Sequence, residues 1–173
     1  MKKLLLTAAV ATALFSCKNP ATKENVSTEE KAPAIEHIYT PTYTDNFKIG
    51  DQKNVLVAEQ MHQYMFEKDF KKVGELLSDT TVFYMEDGSN LKGKAAVLEF
   101  MEKNFSQLNL KNYKIIADMP IVGDNGHQWV FIFDAADVET PDGKTTKTEW
   151  MDAIRFDNGK VVQFHGFVKS PKE

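Results

Sequence analysis

The chain has 173 residues, 42% of them hydrophobic, with nine glycines, which is enough for one ordinary globular domain plus some additional sequence. Its formal charge is −4, and loss of Lys2 and Lys3 with the leader described below takes it to −6. An acidic protein of this kind has no electrostatic reason to bind nucleic acid or an anionic lipid surface.

Residues 1–16 read as a signal peptide. Lys2 and Lys3 form a positive start, and the apolar run Leu4 to Phe15 is too short to span a bilayer as a stable helix. The chain's one cysteine, Cys17, follows directly in Leu14-Phe15-Ser16-Cys17. That stretch resembles the lipobox of bacterial lipoproteins, which implies cleavage before Cys17, lipidation of its thiol and a place in the bacterial cell envelope, on the outer membrane. More than one acyl chain makes such anchoring stable. A lone cysteine also excludes a disulfide within the chain.

From Cys17 to residue 49 the sequence is rich in Pro, Thr, Lys and Glu and poor in apolar residues, so it is expected to serve as a flexible tether. The folded domain is expected over residues 50–170. Asp51 is placed to cap a first helix with Val57, Met61, Tyr64 and Met65 at helical spacing, running to about Lys68. On that wheel His62 falls on the flank of the stripe and reads as solvated. Asp69 caps a shorter second helix carrying Phe70, Val73, Leu76 and Leu77. A strand over Thr81 to Glu86 follows, and then a third helix from Lys94 to about Leu108 with Val97, Met101, Phe105 and Leu108 on one side.

Four strands complete the chain: Leu110 to Asp118, His127 to Val138, Thr145 to Phe156 and Val161 to Lys169. Their joins are short turn sequences, among them Asp157-Asn158-Gly159, so they are expected to pair antiparallel. The fold class is α+β, a curved antiparallel sheet wrapped around three N-terminal helices into a cone. The strand containing Trp129, Phe131 and Phe133 is apolar on both faces. Three helices cover one face of a sheet, so the other is expected to be covered by a second copy, as a homodimer.

Three stretches, DFKKVGELLSDTTVFYMEDG, LKGKAAVLEFM and DAIRFDNGKVVQF, taken in this order, resemble the nuclear transport factor 2-like superfamily and within it the SnoaL-like group. The resemblance covers about Asp51 to Lys169. It implies a conical cavity between the first helix and the concave face of the sheet. The local match to the ketosteroid isomerase branch places Asp152, in Asp152-Ala153-Ile154-Arg155-Phe156-Asp157, where that branch has an acid inside the pocket. The branch's carboxylate base and helix tyrosine are absent: Tyr84 and Met61 stand at those positions, with Tyr64 one turn on from Met61. The His and acid that the SnoaL-like branch often carries on its last strand fall on Phe164 and Gly166.

The candidate pocket is therefore Met61, Tyr64, Tyr84, Trp150, Asp152, Ile154 and Phe164, with Asp152 as the candidate catalytic acid and Tyr84 or Tyr64 as its partner. Asp134, which breaks the apolar run Trp129 to Phe133, and His165 are the candidate bases. His165 is expected to point outward, because Val162, Phe164, Gly166 and Val168 form the apolar face of the last strand. The four histidines are scattered and no pair has ligand spacing, so no metal and no cofactor is expected. Two readings stand: a lipid-anchored protein whose cone binds a small, largely apolar molecule, and an isomerase, dehydratase or cyclase using Asp152 as acid. Behind both is a dimeric interaction module without a ligand.

Overall fold

A computed structural model describes residues 36–44 and 46–169. The expected leader, Cys17 and the first part of the expected tether lie outside the described residues. The chain divides into two units between Ile38 and Tyr39, and every helix and strand below belongs to the second.

Ordered strand structure begins earlier than expected. Strand β1, Phe47–Ile49, lies inside the stretch read as tether and pairs antiparallel with Ile121 to Gly123. Just before it, the Tyr43 ring sits edge-on to Trp129 at 5.8 Å, and the Thr44 hydroxyl donates to Asp124 Oδ1 at 2.6 Å.

Helix α1, Gln52–Phe66, starts at Asp51, whose carboxylate accepts from the Lys53 N–H at 2.9 Å. Its buried face is Val55, Ala58, Met61, His62 and Met65, with Asn54 at one end. Helix α2, Phe70–Leu76, is capped by Asp69 and leads directly into strand β2, Leu77–Tyr84. A short strand β3, Asn90–Lys92, pairs with β2, and helix α3, Lys94–Asn104, follows with Val97 and Met101 buried.

The last four strands are β4 (Asn109–Gly123), β5 (Gln128–Glu139), β6 (Thr145–Asp157) and β7 (Lys160–Lys169). They form the expected antiparallel meander, and the β6–β7 turn places Asn158 and Gly159 at φ 48° and 72°. The sheet has seven strands in the order β1-β4-β5-β6-β7-β2-β3. One pairing departs from the all-antiparallel expectation. Strand β2 runs parallel to β7, because β3, helix α3 and strands β4 to β6 intervene between them and no hairpin constrains their direction.

The helices pack on one face of this curved sheet. The core joins Val55, Ala58, Met61, Val73 and Val97 from the helices to Val130, Ile132, Ile154 and Val161 from the strands, all with less than a tenth of their surface exposed. Truncating one of the larger members such as Ile132 or Met61 to alanine would cost about 2–5 kcal/mol. Strand β4 departs from regular pairing twice, between Lys111 and Lys114 and between Ile115 and Ala117, with Asn112 at φ 52° beside the first irregularity. Such bulges bend a strand and re-aim its side chains, and here the first lies against Tyr113.

Candidate active site

Four side chains from four elements meet where α1 crosses the sheet. His62 on α1 brings its Nε2 to 2.9 Å from Asp152 Oδ2 on β6 and to 3.6 Å from Asp134 Oδ2 on β5. The Tyr113 hydroxyl on β4 donates to Asp134 Oδ2 at 2.9 Å. His62, Asp134 and Asp152 are 3%, 2% and 5% exposed. The register explains the meeting. Asp152 pairs with Ile132, two residues before Asp134 on β5, so both carboxyls stand on the helix-facing side as diagonal neighbours.

The hydrogen bonds fix proton positions. His62 Nδ1 lies 2.8 Å from the Ala58 carbonyl, which only accepts, so Nδ1 carries a hydrogen and donates. The Nε2–Oδ2 contact then holds one proton between His62 and Asp152. Burial works against a charged His62, but the hydrogen bond and charge of Asp152, the Ala58 carbonyl and the charge of Asp134 outweigh it and raise its pKa above the ordinary 6.5. Burial first, and the neighbouring Asp152 charge after it, push Asp134 up to about 6. Tyr113 is raised too, by burial and the Asp134 charge. Its ring stacks near-parallel to His62 at 6.4 Å and packs on Phe66 at 4.1 Å, which walls the cluster on one side. One polar atom is left over: Asp134 Oδ1 is buried with no hydrogen-bond partner.

A hollow of about 480 Å³ opens nearby, between the end of β2 with its turn, Tyr84 to Gly88, and the final stretch of β7, His165 to Val168. It exists because β2 stops pairing at Tyr84↔His165 while β7 runs on against β6. Gly166 connects hollow and cluster. It lies in the wall of the hollow and pairs with Asp152, and a Cβ placed on it would stand 3.6 Å from Asp152 Oδ1 and 3.1 Å from the Phe164 ring. Its φ is not in the left-handed region, so the missing side chain serves close approach and not backbone geometry.

The residues read from sequence divide accordingly. Asp152 is in the cluster, and so is Asp134. Trp150 is a partly buried neighbour two residues along on the Asp152 face and pairs with Val168. Met61 and Ile154 are fully buried core, and Phe164 stacks on Phe83 at 4.7 Å. Neither expected tyrosine partners Asp152. Tyr64 lies at the α1–α2 contact with the Lys72 ammonium 5.1 Å from its ring, and Tyr84 stacks on His165 at 4.3 Å at the edge of the hollow. His165, whose pKa is lowered by burial and by Arg155, lies 5.9 Å from the Trp129 ring, on the sheet face away from the cluster.

Two members were missed. The stripe Val57, Met61, Tyr64 and Met65 puts His62 on its flank, whereas the buried face of α1 runs through Ala58. With Ala58 included, Val55, Ala58, Met61/His62 and Met65 form a regular inner face. Tyr113 gave no signal, because the β4 irregularity beside it removes the alternation by which a strand residue is assigned to a face.

Residues 57–164 match the SnoaL-like domain. The chain belongs to the SnoaL-like domain family. No curated protein matches it in sequence. Among solved structures it is similar to a protein from Bacillus subtilis with an isomerase assignment, at 21% identity and a TM-score of 0.58, over 68% of this chain and 87% of that one. It is also similar to a computationally designed 17-OHP binder, at 16% identity and TM-score 0.58, over 69% and 98%. An LEH-like epoxide hydrolase from M. tuberculosis matches at 14% identity and TM-score 0.55, over 68% and 84%. At these identities the likeness establishes the cone fold, with its concave sheet and helix lid, and no reaction.

Proposed function

We propose that this SnoaL-like protein is a bacterial envelope lipoprotein, anchored to a membrane by lipid on Cys17, whose cone takes up one small, largely apolar molecule through the rim hollow. The observation that carries the reading is the adjacency at Gly166: a hollow with Met85, Phe167 and Val168 in its wall on one side and, across a residue without a side chain, the Asp152 carboxylate held by His62. Sites of this type combine apolar walls with a few convergent polar groups that orient the ligand. Asp152 and Asp134 then meet the ligand's one polar group, a carbonyl or hydroxyl. That relatives of this shape include a 17-OHP binder and an epoxide hydrolase supports a concave small-molecule site in this chain.

The test is to purify the chain from its envelope, extract it and identify co-purifying molecules by mass spectrometry. The reading expects one apolar, oxygen-bearing molecule per chain, bound about fivefold more weakly by Asp152→Asn, as for one lost hydrogen bond. An extract without such a molecule, together with unmoved Gly166 and Phe167 NMR signals when the extract is added back, overturns it.

A second reading, acid–base catalysis of isomerase, dehydratase or cyclase type, is favoured by one further observation. Asp134, with a pKa near 6, lies beside a pair that already shares a proton, which is the poise a general acid or base needs near neutral pH. Catalysis would show as deuterium uptake from D2O into the bound molecule, abolished by His62→Gln. Binding alone gives no uptake.

A further inference from the structure

The buried cluster is also a donor set. His62, Asp134 and Asp152 each offer one ligand atom, and these atoms lie within 4.8 Å of one another. We propose that this triad binds a first-row divalent cation, zinc in the first instance, with the His62 imidazole and the two carboxylates as its protein ligands. The proposal rests on the small-molecule reading only for what occupies the remaining coordination position.

Spacing supports it. Ligand atoms arranged tetrahedrally around zinc at roughly 2.0–2.1 Å are about 3.3 Å apart. The Nε2–Asp152 Oδ2 and Nε2–Asp134 Oδ2 distances, 2.9 and 3.6 Å, bracket that value, and all three ligand atoms lie within 4.8 Å of one another. The supporting bonds are those of a metal ligand set as well. Nδ1 of His62 donates to the Ala58 carbonyl, which leaves the Nε2 lone pair for the metal, and Tyr113 donates to a ligand carboxylate.

Charge points the same way. Two buried carboxylates face one imidazole, and their ion pairs among the described residues are both with His62. A shared proton leaves the cluster negative in a place where uncompensated charge is costly. A divalent cation beside two carboxylates and a neutral imidazole brings it to zero, and the proton between His62 and Asp152 is what the metal displaces. The independent observation is Asp134 Oδ1, buried and without a hydrogen-bond partner, which coordination through Oδ1 or through both oxygens would satisfy.

A mixed nitrogen and oxygen set with an open position suits zinc and its first-row neighbours over calcium or magnesium, which favour all-oxygen shells. The sequence showed none of this because the three ligands come from α1, β5 and β6, 72 and 18 positions apart, with no short spacing to recognise.

The experiment uses the full chain, solubilised in detergent, stripped with a chelator and reloaded with zinc or cobalt(II). The expected results are one metal per chain by elemental mass spectrometry and the visible absorption bands of four-coordinate cobalt. Asp134→Asn and His62→Gln should each lower zinc affinity at least a hundredfold. If either fails to fold by circular dichroism, Tyr113→Phe tests the supporting bond instead and should lower affinity about tenfold or more. Substoichiometric metal, or binding unchanged in these variants, overturns the proposal. The two readings fail separately. A stripped protein that keeps its co-extracted molecule but shows no cobalt bands sinks the cation alone, and cobalt bands in a chain that yields no such molecule sink the small-molecule site alone.

Discussion

His62 on the first helix and Asp152 on the sixth strand touch at 2.9 Å across 90 positions of sequence, and the contact pins the helix to the polar floor of the cone. Removing one partner leaves the other buried and unpaired. Asp152→Asn keeps the shape and is expected to lower stability by about 1–3 kcal/mol, and His62→Gln by a similar amount. The double variant should lose less than the two losses combined, with a coupling of at least about 0.5 kcal/mol in a denaturant-melt cycle. Strict additivity would mean that the two residues do not act as a pair.

The stability of the metal-free protein should fall as pH rises. The folded-state pKa of Asp134 is raised from 3.8 to about 6, so the folded chain holds a proton that the unfolded chain has released, and stability drops from about pH 4 through pH 6. His62 is raised as well, so its contribution is complete below 6.5 and is lost as pH passes its folded value. Both act in one direction. At the surface, Asp69 and Asp79 are lowered by hydrogen bonds and charge and Asp87 by hydrogen bonds, and they act in the opposite sense, below about pH 4. Thermal melts should therefore give a higher Tm at pH 5 than at pH 8, by several degrees, and Asp134→Asn should flatten that difference. A Tm that climbs from pH 5 to pH 8 would contradict this account.

Tyr113→Phe removes the donor to Asp134 Oδ2 and leaves both oxygens of that carboxyl without a neutral donor. The expected cost is about 1–2 kcal/mol, with the Asp134 titration moved further upward in a carbon-detected NMR experiment. An unmoved titration would show that the hydroxyl does not bear on Asp134.

The three helices, the antiparallel meander and the break that Asp134 makes in an apolar run could be read from the sequence, because periodicity and turn residues act locally. The cluster itself could not. Its histidine needed a helix wheel centred on an alanine, and its tyrosine sits beside an irregularity that no alternation rule anticipates. The parallel β2–β7 pairing was likewise invisible, since a pairing across some 80 residues leaves no local mark on either strand. Strand β1 was hidden for a related reason: three residues pairing at a sheet edge need little apolar content of their own.

Anchoring through Cys17 is tested by Cys17→Ser. The variant should move from the membrane fraction to the soluble fraction with an unchanged circular dichroism spectrum, because no helix among the described residues is long and apolar enough to cross a membrane. Full membrane retention would count against a lipid anchor.

A dimer through the sheet face opposite the helices is the expected state. Phe133 and Phe167 flank Met151 there in register and are 41% and 53% exposed, with Met119 51% exposed beside Phe131. Phe133→Glu with Phe167→Glu should convert a dimer at micromolar concentration to a monomer by sedimentation velocity, leaving the Tm within a few degrees of the parent. A wild-type chain that sediments as a monomer removes this expectation.

Strand β7 is the last strand in sequence among the described residues, yet it lies between β6 and β2 in the sheet. A chain growing from its N-terminus therefore carries β2 and β3 with no sheet to join until β7 has emerged. Such a topology ties the joining of β2 and β3 to the arrival of β7 and makes that step a long-range one, slow relative to helix formation. It also leaves β2 without its sheet partner until then, so loss of β7 would detach β2 and β3 from the sheet instead of fraying one of its edges.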